Sequence, residues 1–302
     1  MTTIAFIGLG ELACSFAAGM RDAGVDLRGY SRPRADPDRA GALRRRTDAA
    51  CIRVLPSLEE AVRGAPVVVA AVPSSAASEV TAQVVGLLEP GCVYVDTAPS
   101  APARKAADGA VVAAAGGRYA DVAVLRTVAI DGHRVPLLAA GPGACAWSEL
   151  ATSLGMNVTV VDGPPGTATR VKLLRSVYMK GRDALIAEML LAARAGGIDD
   201  EVIASIGGPA ERVPFAELAH RVICALSIHA ERRADELAAS ADLLAEHGIE
   251  PIMVAAGERR LRALADLGLR EHFRGERADD PRTVLAAVEM LATNAPRGRL
   301  AR

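Results

Sequence analysis

The chain has few aromatic residues, very little lysine and no long apolar run. Aromatic residues make up 3% of its 302 positions and only three positions are lysine, whereas hydrophobic residues reach 51%. This apolar content is enough for a large core and argues against disorder. Because bulky rings are scarce, such a core favours closely packed, alanine-rich helices and thin alternating layers.

An excess of positive charge is also missing. Lysine and arginine number 35 against 36 acidic residues, and no basic stretch is interleaved with aromatic residues, so nothing indicates a nucleic-acid surface. No apolar run reaches the ~18 residues that cross a bilayer. Neither a charged leader nor a signal-type apolar segment precedes the strand-like run at Thr3. We therefore predict a cytoplasmic protein without nucleic-acid or membrane partners.

The five cysteines show no pattern of clustered ligands. They are far apart in the sequence and stand mostly inside apolar runs, which is typical of small buried residues in a reducing compartment. No spacing of histidine, cysteine or acidic residues indicates a metal. The sequence predicts no metal site.

Eight short apolar runs alternate with helical segments in the first half of the chain. Apolar strands spaced by helices are typical of a parallel sheet covered on both faces. We therefore predict a doubly wound parallel α/β domain of the Rossmann type over residues 1–163. The predicted strands are Thr3–Gly8, Val25–Tyr30, Ile52–Leu55, Val67–Val72, Val93–Asp96, Tyr119–Val124, Val135–Ala140 and Asn157–Val161. The helices between them include Glu11–Ala23, Ser57–Arg63, Ala77–Leu88 and Ala144–Leu154.

The strand pattern stops after Gly163, and only helical patterns follow. Thr167–Ala195 is predicted as one long helix, and because it needs burial along its length, it is expected to join two domains. Residues 164–302 are thus predicted to form an all-α domain for substrate binding and subunit pairing. The further predicted helices are Asp199–Ile206, Pro214–Ile223, Ala225–Glu246, Ile252–Leu267 and Pro281–Asn294.

A glycine-rich turn follows the first predicted strand and opens the first helix. Its residues are Gly8, Leu9, Gly10, Glu11, Leu12 and Ala13. In this position the first glycine allows a tight turn, the second lets backbone approach a pyrophosphate, and a small third residue lets helix and strand pack closely. The free N–H groups of the helix then attract the anion. We predict a dinucleotide site at this turn.

The end of the second predicted strand indicates which dinucleotide fits. NAD-binding domains place an acidic residue near this point to hold the ribose 2′-hydroxyl. Here Ser31, Arg32 and Arg34 come before the first acid, Asp36, and they are suited to a 2′-phosphate. A solvated loop with ordinary arginines is the alternative interpretation. We predict NADP as the cofactor.

A third turn, Val72, Pro73 and Ser74, follows the strand predicted at Val67–Val72. In a doubly wound sheet such a turn lies at the carboxyl edge, where ligands bind. Contact with the ribose or pyrophosphate is one interpretation, and an ordinary helix start is the other.

Lys172 is one of only three lysines, with Lys105 and Lys180, in a chain whose other basic residues are arginine. Arginine keeps its charge, whereas a partly buried lysine can exchange a proton near neutral pH. On a helix Lys172, Ser176 and Lys180 share one stripe, with Arg175 close to it. A solvated charged face is the alternative, but apolar residues surround this stripe. We expect burial and the neighbouring positive charges to lower the pKa of Lys172.

These features together resemble the β-hydroxyacid dehydrogenase superfamily, which includes 6-phosphogluconate dehydrogenase and 3-hydroxyisobutyrate dehydrogenase. The segment from Gly163 to Lys172 matches its G-x-x-G-x-x-x-x-x-K pattern, and the resemblance implies that Lys172 is the general acid/base. The run after Lys172 is most similar to a 6-phosphogluconate-dehydrogenase-like subfamily with a distinctive helical C-terminal domain. The resemblance also implies pairing of subunits through that domain, so we predict a homodimer.

Three departures from the family pattern concern the substrate. Ser176 stands where the family commonly has asparagine, and Ala98-Pro99 replaces a serine/threonine pair. Leu125, Arg126 and Thr127 replace a serine and two glycines that cradle a carboxylate in the family. Arg126 is a candidate to bind a substrate carboxylate or phosphate, or it merely fills the space.

The resemblance and the residues lead to one predicted function and two alternatives. We predict an NADP-dependent oxidoreductase that acts on a hydroxy-acid-like or other carbonyl or secondary-alcohol substrate, which is small and anionic. The alternatives are an imine reductase on the same fold and a catalytically silent NADPH-binding protein. The predicted catalytic residues are Lys172 and Ser176. The predicted substrate-binding residues are Asp121, Val122, Ala123, Arg126, Arg175 and Lys180.

Overall fold

The computed structural model describes residues 2–33, 35–208 and 212–294. The chain divides into two compact units, Met1–Val177 and Tyr178–Arg302. The division falls within a long helix, after the predicted boundary at residue 163, because the first turns of that helix pack on the sheet of the first unit.

The first unit is built on an eight-stranded sheet. The strands are β1 (Thr3–Ile7), β2 (Asp26–Tyr30), β3 (Arg53–Val54), β4 (Val67–Ala70), β5 (Val93–Asp96), β6 (Arg118–Val124), β7 (Leu137–Ala140) and β8 (Val158–Val160). Their order in the sheet is β3-β2-β1-β4-β5-β6-β7-β8. This order, with its reversal at β1 and β4, confirms the predicted doubly wound fold.

One strand pairing corrects the prediction of a wholly parallel sheet. All neighbouring strands run parallel except β6 and β7, which are antiparallel. The segment between these two strands turns straight back, and the Leu125 N–H donates to the Pro136 carbonyl at 3.0 Å, which extends their ladder. The segment contains only one short α-helical turn and one 3₁₀ turn, whereas a parallel connection usually crosses the sheet face with a longer helix.

Helices cover both faces of this sheet, and side chains along β1 alternate between two cores. Ile4 and Phe6 join a cluster with Phe16 and Trp147, whereas Ala5 and Ile7 face a second cluster. The period of two residues is that of a strand buried on both faces. The helices are α1 (Glu11–Met20), α2 (Pro37–Ala49), α3 (Leu58–Val62), α4 (Ala77–Val84), α5 (Pro102–Ala114), α6 (Val128–Asp131) and α7 (Ala144–Ser153).

The second unit is helical, as predicted. It begins within α8 (Thr167–Gly196), and the helices after it are α9 (Asp199–Ile206), α10 (Phe215–Glu246), α11 (Ile252–Ala265), α12 (Leu269–His272) and α13 (Pro281–Asn294). The two helices predicted over 214–246 are one continuous helix, because no glycine or proline interrupts them and Cys224 and Ala225 are buried in mid-helix. Among the described residues, none of the helices combines the length and apolar composition that spanning a membrane requires.

Candidate functional site

The glycine turn after β1 has the geometry that a dinucleotide needs. Gly8 has a φ of +86°, and its N–H donates to the Tyr30 carbonyl at 2.9 Å. A Cβ atom at Gly8 would lie 2.5 Å from the Ala71 carbonyl oxygen, so both the backbone conformation and the space exclude a side chain. The turn therefore holds β1, β2 and the end of β4 in close contact.

The N-terminus of α1 is open toward this turn. Gly10 is its N-cap residue and supplies no side-chain cap, and a Cβ atom there would meet nothing within 4 Å. Glu11 and Leu12 form the first turn, with Glu11 exposed. An uncapped helix start beside open space is suited to a phosphate, since its N–H groups point outward and carry a positive partial charge.

A cleft of about 450 Å³ begins at this helix start. Its walls include Gly8, Leu9, Gly10, Ser31, Arg32, Val72 and Pro73. Three separately predicted segments thus line one space. Arg34, predicted with Ser31 and Arg32 to hold a 2′-phosphate, lies outside the described residues.

A more open groove of about 590 Å³ runs along α2, between Arg39, Arg45 and Arg46. It lies on one helix surface and contains none of the glycine turn. We therefore take the cleft at the carboxyl edge of the sheet as the ligand site, which agrees with where doubly wound sheets bind their ligands.

The loop after β4 connects the cleft to the loop after β5. The Ser74 hydroxyl donates to the Ser100 hydroxyl at 3.3 Å, and an Arg104 N–H donates to the Ser74 carbonyl at 3.2 Å. Ser74 therefore ties two loops together at the carboxyl edge, in addition to starting the short 3₁₀ turn Ser74–Ala76.

Lys172 lines a small cavity of about 30 Å³ at this same edge. The other walls come from the loop after β5, from β6 and from the first turns of α8: Thr97, Ala98, Pro99, Ser100, Val122, Ala123, Thr169 and Leu173. Lys172 is half-buried, and Ser176 stands one helical turn further on, also half-buried. The structure thus brings Lys172, Val122 and Ala123 together.

The remaining predicted substrate residues do not line that cavity. Arg126 is 55% exposed at its side chain and pairs with Asp131, with Nε and Oδ2 3.2 Å apart. An Arg175 N–H donates to the Leu125 carbonyl at 3.0 Å. Lys180 is exposed and belongs to the second unit. The predicted stripe from Lys172 to Lys180 therefore crosses the division between the units.

Asp121 is fully buried, and hydrogen bonds occupy both of its carboxylate oxygens. It accepts from the N–H groups of Gly166 and Thr169, each at 3.0 Å, and from the Thr169 hydroxyl at 2.6 Å. It therefore caps the N-terminus of α8. The predicted contact between Asp121 and a substrate finds no support in this geometry, because the carboxylate has no exposed surface.

Sequence reasoning missed the residues that surround Asp121. Lys105 is fully buried and lies 3.0 Å from Asp96 and 3.5 Å from Asp121. Tyr119 donates its hydroxyl to Asp96 at 2.5 Å. Burial raises the pKa of Tyr119, and the negative charge of Asp96 adds to the effect, so the phenol stays protonated and remains a donor. The scarcity of lysine was a signal that applied to Lys105 as well as to Lys172.

No group of three or more histidine, cysteine or acidic residues within the described ranges could hold a metal ion.

Residues 3–150 match the family described as the NAD binding domain of 6-phosphogluconate dehydrogenase. This part of the chain is therefore a domain similar to that NAD-binding domain. Residues 193–264, in the helical unit, match a domain of unknown function, DUF1932. The predicted resemblance, including a distinctive helical C-terminal domain, is confirmed.

Solved structures share this fold over nearly the whole chain. A conserved hypothetical protein from Sinorhizobium meliloti 1021 is 28% identical, with a TM-score of 0.61 over 96% of this chain and 97% of that one. A reductive aminase from Aspergillus terreus, in complex with NADPH and ethyl-5-oxohexanoate, is 16% identical, with a TM-score of 0.70 over 95% and 99%. A 3-hydroxyisobutyrate dehydrogenase from Mycobacterium tuberculosis is 18% identical, with a TM-score of 0.62 over 96% and 99%.

One curated relative also matches. It is an uncharacterised 28.5 kDa protein from Methanothermus fervidus, 27% identical over 106 residues, which are 35% of this chain. The match spans only 42% of that protein's length. Together with the family match, these likenesses establish an NAD(P)-binding fold of the hydroxyacid dehydrogenase type.

Proposed function

We propose that this 6-phosphogluconate dehydrogenase-family protein is a cytoplasmic, NADP-dependent oxidoreductase that interconverts a carbonyl and a secondary alcohol, with Lys172 as general acid/base. The observation that carries the proposal is the position of Lys172. It lines a cavity at the carboxyl edge of the sheet, formed in part by the loop that Ser74 ties to the nucleotide cleft. Binding of the nucleotide alone does not require a proton donor at that edge, whereas reduction of a carbonyl does.

The residues around the cleft fit a nicotinamide dinucleotide. Gly8, Gly10 and the open start of α1 are suited to the pyrophosphate, and Ser31 and Arg32 to a 2′-phosphate. Arginine binds a phosphate with two parallel N–H donors, which favours NADP over NAD. When bound, the cofactor supplies or accepts the hydride.

Lys172 moves the proton that accompanies the hydride. In reduction, the lysine ammonium donates a proton to the carbonyl oxygen as that oxygen gains negative charge, and in oxidation the neutral amine takes it back. Ser176, one turn along α8, orients the substrate hydroxyl or the lysine. The substrate is a small anionic molecule, for which Arg126, just after β6, and Arg175 of α8 are the candidate partners; Arg126 would have to exchange its ion pair with Asp131 for the substrate.

Imine reduction is the second candidate, and the lining of the cavity favours it. Ala98, Pro99, Val122, Ala123 and Leu173 present apolar surface beside Lys172, and such a lining suits an uncharged substrate. The retained lysine favours the carbonyl reaction, because it provides the proton donor that a developing alkoxide needs.

A substrate screen tests the proposal and separates the two reactions. Purified protein is incubated with NADPH and matched sets of keto acids, uncharged ketones and cyclic imines, and NADPH absorbance is followed. We expect turnover with a keto acid and a loss of about 10²–10⁴-fold in Lys172→Met. Nucleotide binding should be unchanged in the variant, since Lys172 is not part of the cleft walls.

Three outcomes would contradict parts of the proposal. Turnover of imines alone would replace carbonyl reduction by imine reduction. Near-full turnover in Lys172→Met would remove the assigned role of Lys172. NADPH binding without turnover of any compound would leave a binding protein.

We also propose that two copies of the chain pair through the helical domain. Large apolar side chains of the second unit are solvent-exposed in the single chain, including Leu191, Ile203 and Phe215 at 59%, 54% and 58%. Large exposed apolar patches mark protein interfaces, and we infer that these side chains belong to such a patch. Sedimentation should show a dimer, and a Leu191→Asp variant should shift it toward monomer; a monomeric wild-type chain would refute the pairing.

A further inference from the structure

A buried ion cluster adjoins two walls of the cavity that Lys172 lines. Lys105 Nζ lies 3.0 Å from Asp96 Oδ2 and 3.5 Å from Asp121 Oδ1, and it donates to the Asp96 carbonyl oxygen at 2.8 Å. The side chains of these three residues are at most 1% exposed. Burying charges costs several kcal/mol for each ion and is sustained only by good pairing.

Each carboxylate of the cluster also accepts hydrogen bonds from backbone N–H groups in one wall of the cavity. Asp121 accepts the N–H groups of Gly166 and Thr169 and the Thr169 hydroxyl. Asp96 accepts the Ala98 N–H at 2.8 Å. Ala98 and Thr169 line the cavity together with Lys172. Lys105 therefore connects the loop after β5 to the first turn of α8.

We propose that Lys105 is a positioning residue for Lys172. Through Asp96 and Asp121 it fixes the position of the loop after β5 relative to the first turn of α8. It thereby fixes the helical turn from which Lys172 projects. Two carboxylates in one dry site repel each other, and the ammonium between them offsets that repulsion. Without it, Asp121 would hold the start of α8 less firmly.

The inference rests on the proposed role of Lys172, so its test must separate the two. A lysine that transfers a proton near neutral pH must release that proton more readily than an exposed lysine. Only an uncharged amine reacts with acetic anhydride, so the rate of acetylation as a function of pH reports this directly and needs no substrate.

The sequence makes the measurement simple. There are three lysines, of which Lys105 is fully buried, Lys172 is half-buried and Lys180 is exposed. Peptide masses distinguish Lys172 from Lys180, so Lys180 serves as an internal reference on the same helix. The quantity compared is the midpoint of each lysine's pH profile, which does not depend on how easily the reagent reaches it.

In the wild type we expect the midpoint of Lys172 to lie about one pH unit or more below that of Lys180, which is about tenfold in the uncharged fraction. In Lys105→Met the midpoint of Lys172 should move toward that of Lys180, while Lys180 and NADPH binding stay unchanged. Because Lys105→Met also removes a positive charge, which would itself raise the midpoint of Lys172, this shift supports the positioning role when the charge-neutral Thr169→Val variant described below shows it as well.

Two other results would overturn the inference in distinguishable ways. Equal midpoints in the wild type would contradict proton transfer by Lys172. The positioning role would fall with it, because Lys105 would have no catalytic lysine to position. A lowered wild-type midpoint that persists in a folded Lys105→Met would leave the proposed function intact and refute the positioning role alone.

A second set of variants carries the same test if Lys105→Met does not fold. Thr169→Val removes the hydroxyl that donates to Asp121, and Thr169→Ser keeps it. We expect the Lys172 midpoint to shift in the valine variant and to stay in the serine variant. Thr47→Val is the matched control, since Thr47 is 1% exposed and its hydroxyl donates to carbonyls of α2 itself, those of Leu43 and Arg44. An equal shift in Thr47→Val, or none in Thr169→Val, would overturn the inference.

Discussion

Two helices, one starting in each unit, have their first N–H groups capped by a carboxylate from a distant part of the chain. In the first unit Asp121 of β6 caps α8. In the second unit Glu188 of α8 accepts the N–H groups of Met253 at 2.7 Å and Val254 at 2.9 Å, and so caps α11. Pro251, the N-cap residue of α11, provides no side-chain cap of its own. The two caps do the same backbone chemistry.

The surroundings of the two caps differ. Asp121 is fully buried, is shared with Lys105 and supports a helix turn that carries a candidate catalytic lysine. Glu188 retains 8% exposure and supports only the local packing of Ala192, Leu244 and Val254. A cap that needs a buried cation has a high desolvation cost. It occurs at the helix that carries Lys172, where the position of the side chain matters for the proposed function. A carboxylate cap that keeps slight exposure is sufficient where the helix only has to begin.

The largest effect on this comparison should come from removing the cation. Lys105→Met leaves Asp96 and Asp121 without their buried partner, and we expect the first unit to lose about 3–5 kcal/mol of unfolding free energy. Urea denaturation measures it. Arg63→Met, which removes an exposed pair with Glu59, is the control and should cost less than about 1 kcal/mol. Equal losses would show that the buried cluster is no stronger than a surface pair.

A smaller effect should follow from removing the second cap. Glu188→Ala deletes the carboxylate that accepts hydrogen bonds from the N–H groups of Met253 and Val254, and we expect a loss of about 1–3 kcal/mol of unfolding free energy. Hydrogen exchange should become faster at the start of α11 and stay unchanged in the first unit. Glu188→Gln, which keeps one acceptor oxygen, should lose less. Faster exchange at the start of α8 would contradict the separation of the two caps.

The smallest effect concerns two acids of the first unit with opposite pKa shifts. Burial raises the pKa of Asp108, so its ionised form destabilises the fold above that pKa, and the effect disappears as the pH falls. For Asp26, partial burial is outweighed by hydrogen bonds from Arg28 and Arg53, which lower its pKa. Its ionised form therefore stabilises the fold above the unfolded pKa, and that stability is lost at acid pH.

Asparagine variants separate these two signs. Asp108→Asn should raise the melting temperature slightly at neutral pH, because the Ser78 hydroxyl can still donate to the amide oxygen. Asp26→Asn should lower the melting temperature, and the loss of unfolding free energy should be less than about 1 kcal/mol. Both differences should vanish in acid. Changes of the same sign at neutral pH would contradict the two environments.

Much of the fold could be predicted because its elements are regular. The central strands β1 and β4 are short, fully buried apolar runs, and buried parallel strands have that pattern. The antiparallel direction of β7 could not be predicted, because strand direction depends on the connection and leaves no mark on apolar content. The continuity of α10, by contrast, follows from the sequence, because no glycine or proline interrupts the residues from Phe215 to Glu246.

The site was predictable where backbone chemistry determines the residue. Gly8 has a positive φ and no room for a Cβ atom, so only glycine fits there and the residue type alone indicates the turn. Lys105 was not predicted as a buried residue, because it lies in an alanine-rich helix and its partners come from β5 and β6. Long-range ion pairs of this kind have no local spacing to reveal them.

The most direct test of the proposed function is a calorimetric comparison of NADPH and NADH binding to the wild type and to Arg32→Ala. We expect NADPH to bind more tightly than NADH, and Arg32→Ala to weaken NADPH binding by about tenfold or more with little effect on NADH. Equal affinities that do not respond to Arg32→Ala would contradict the NADP assignment. Binding of neither nucleotide would contradict the oxidoreductase function itself.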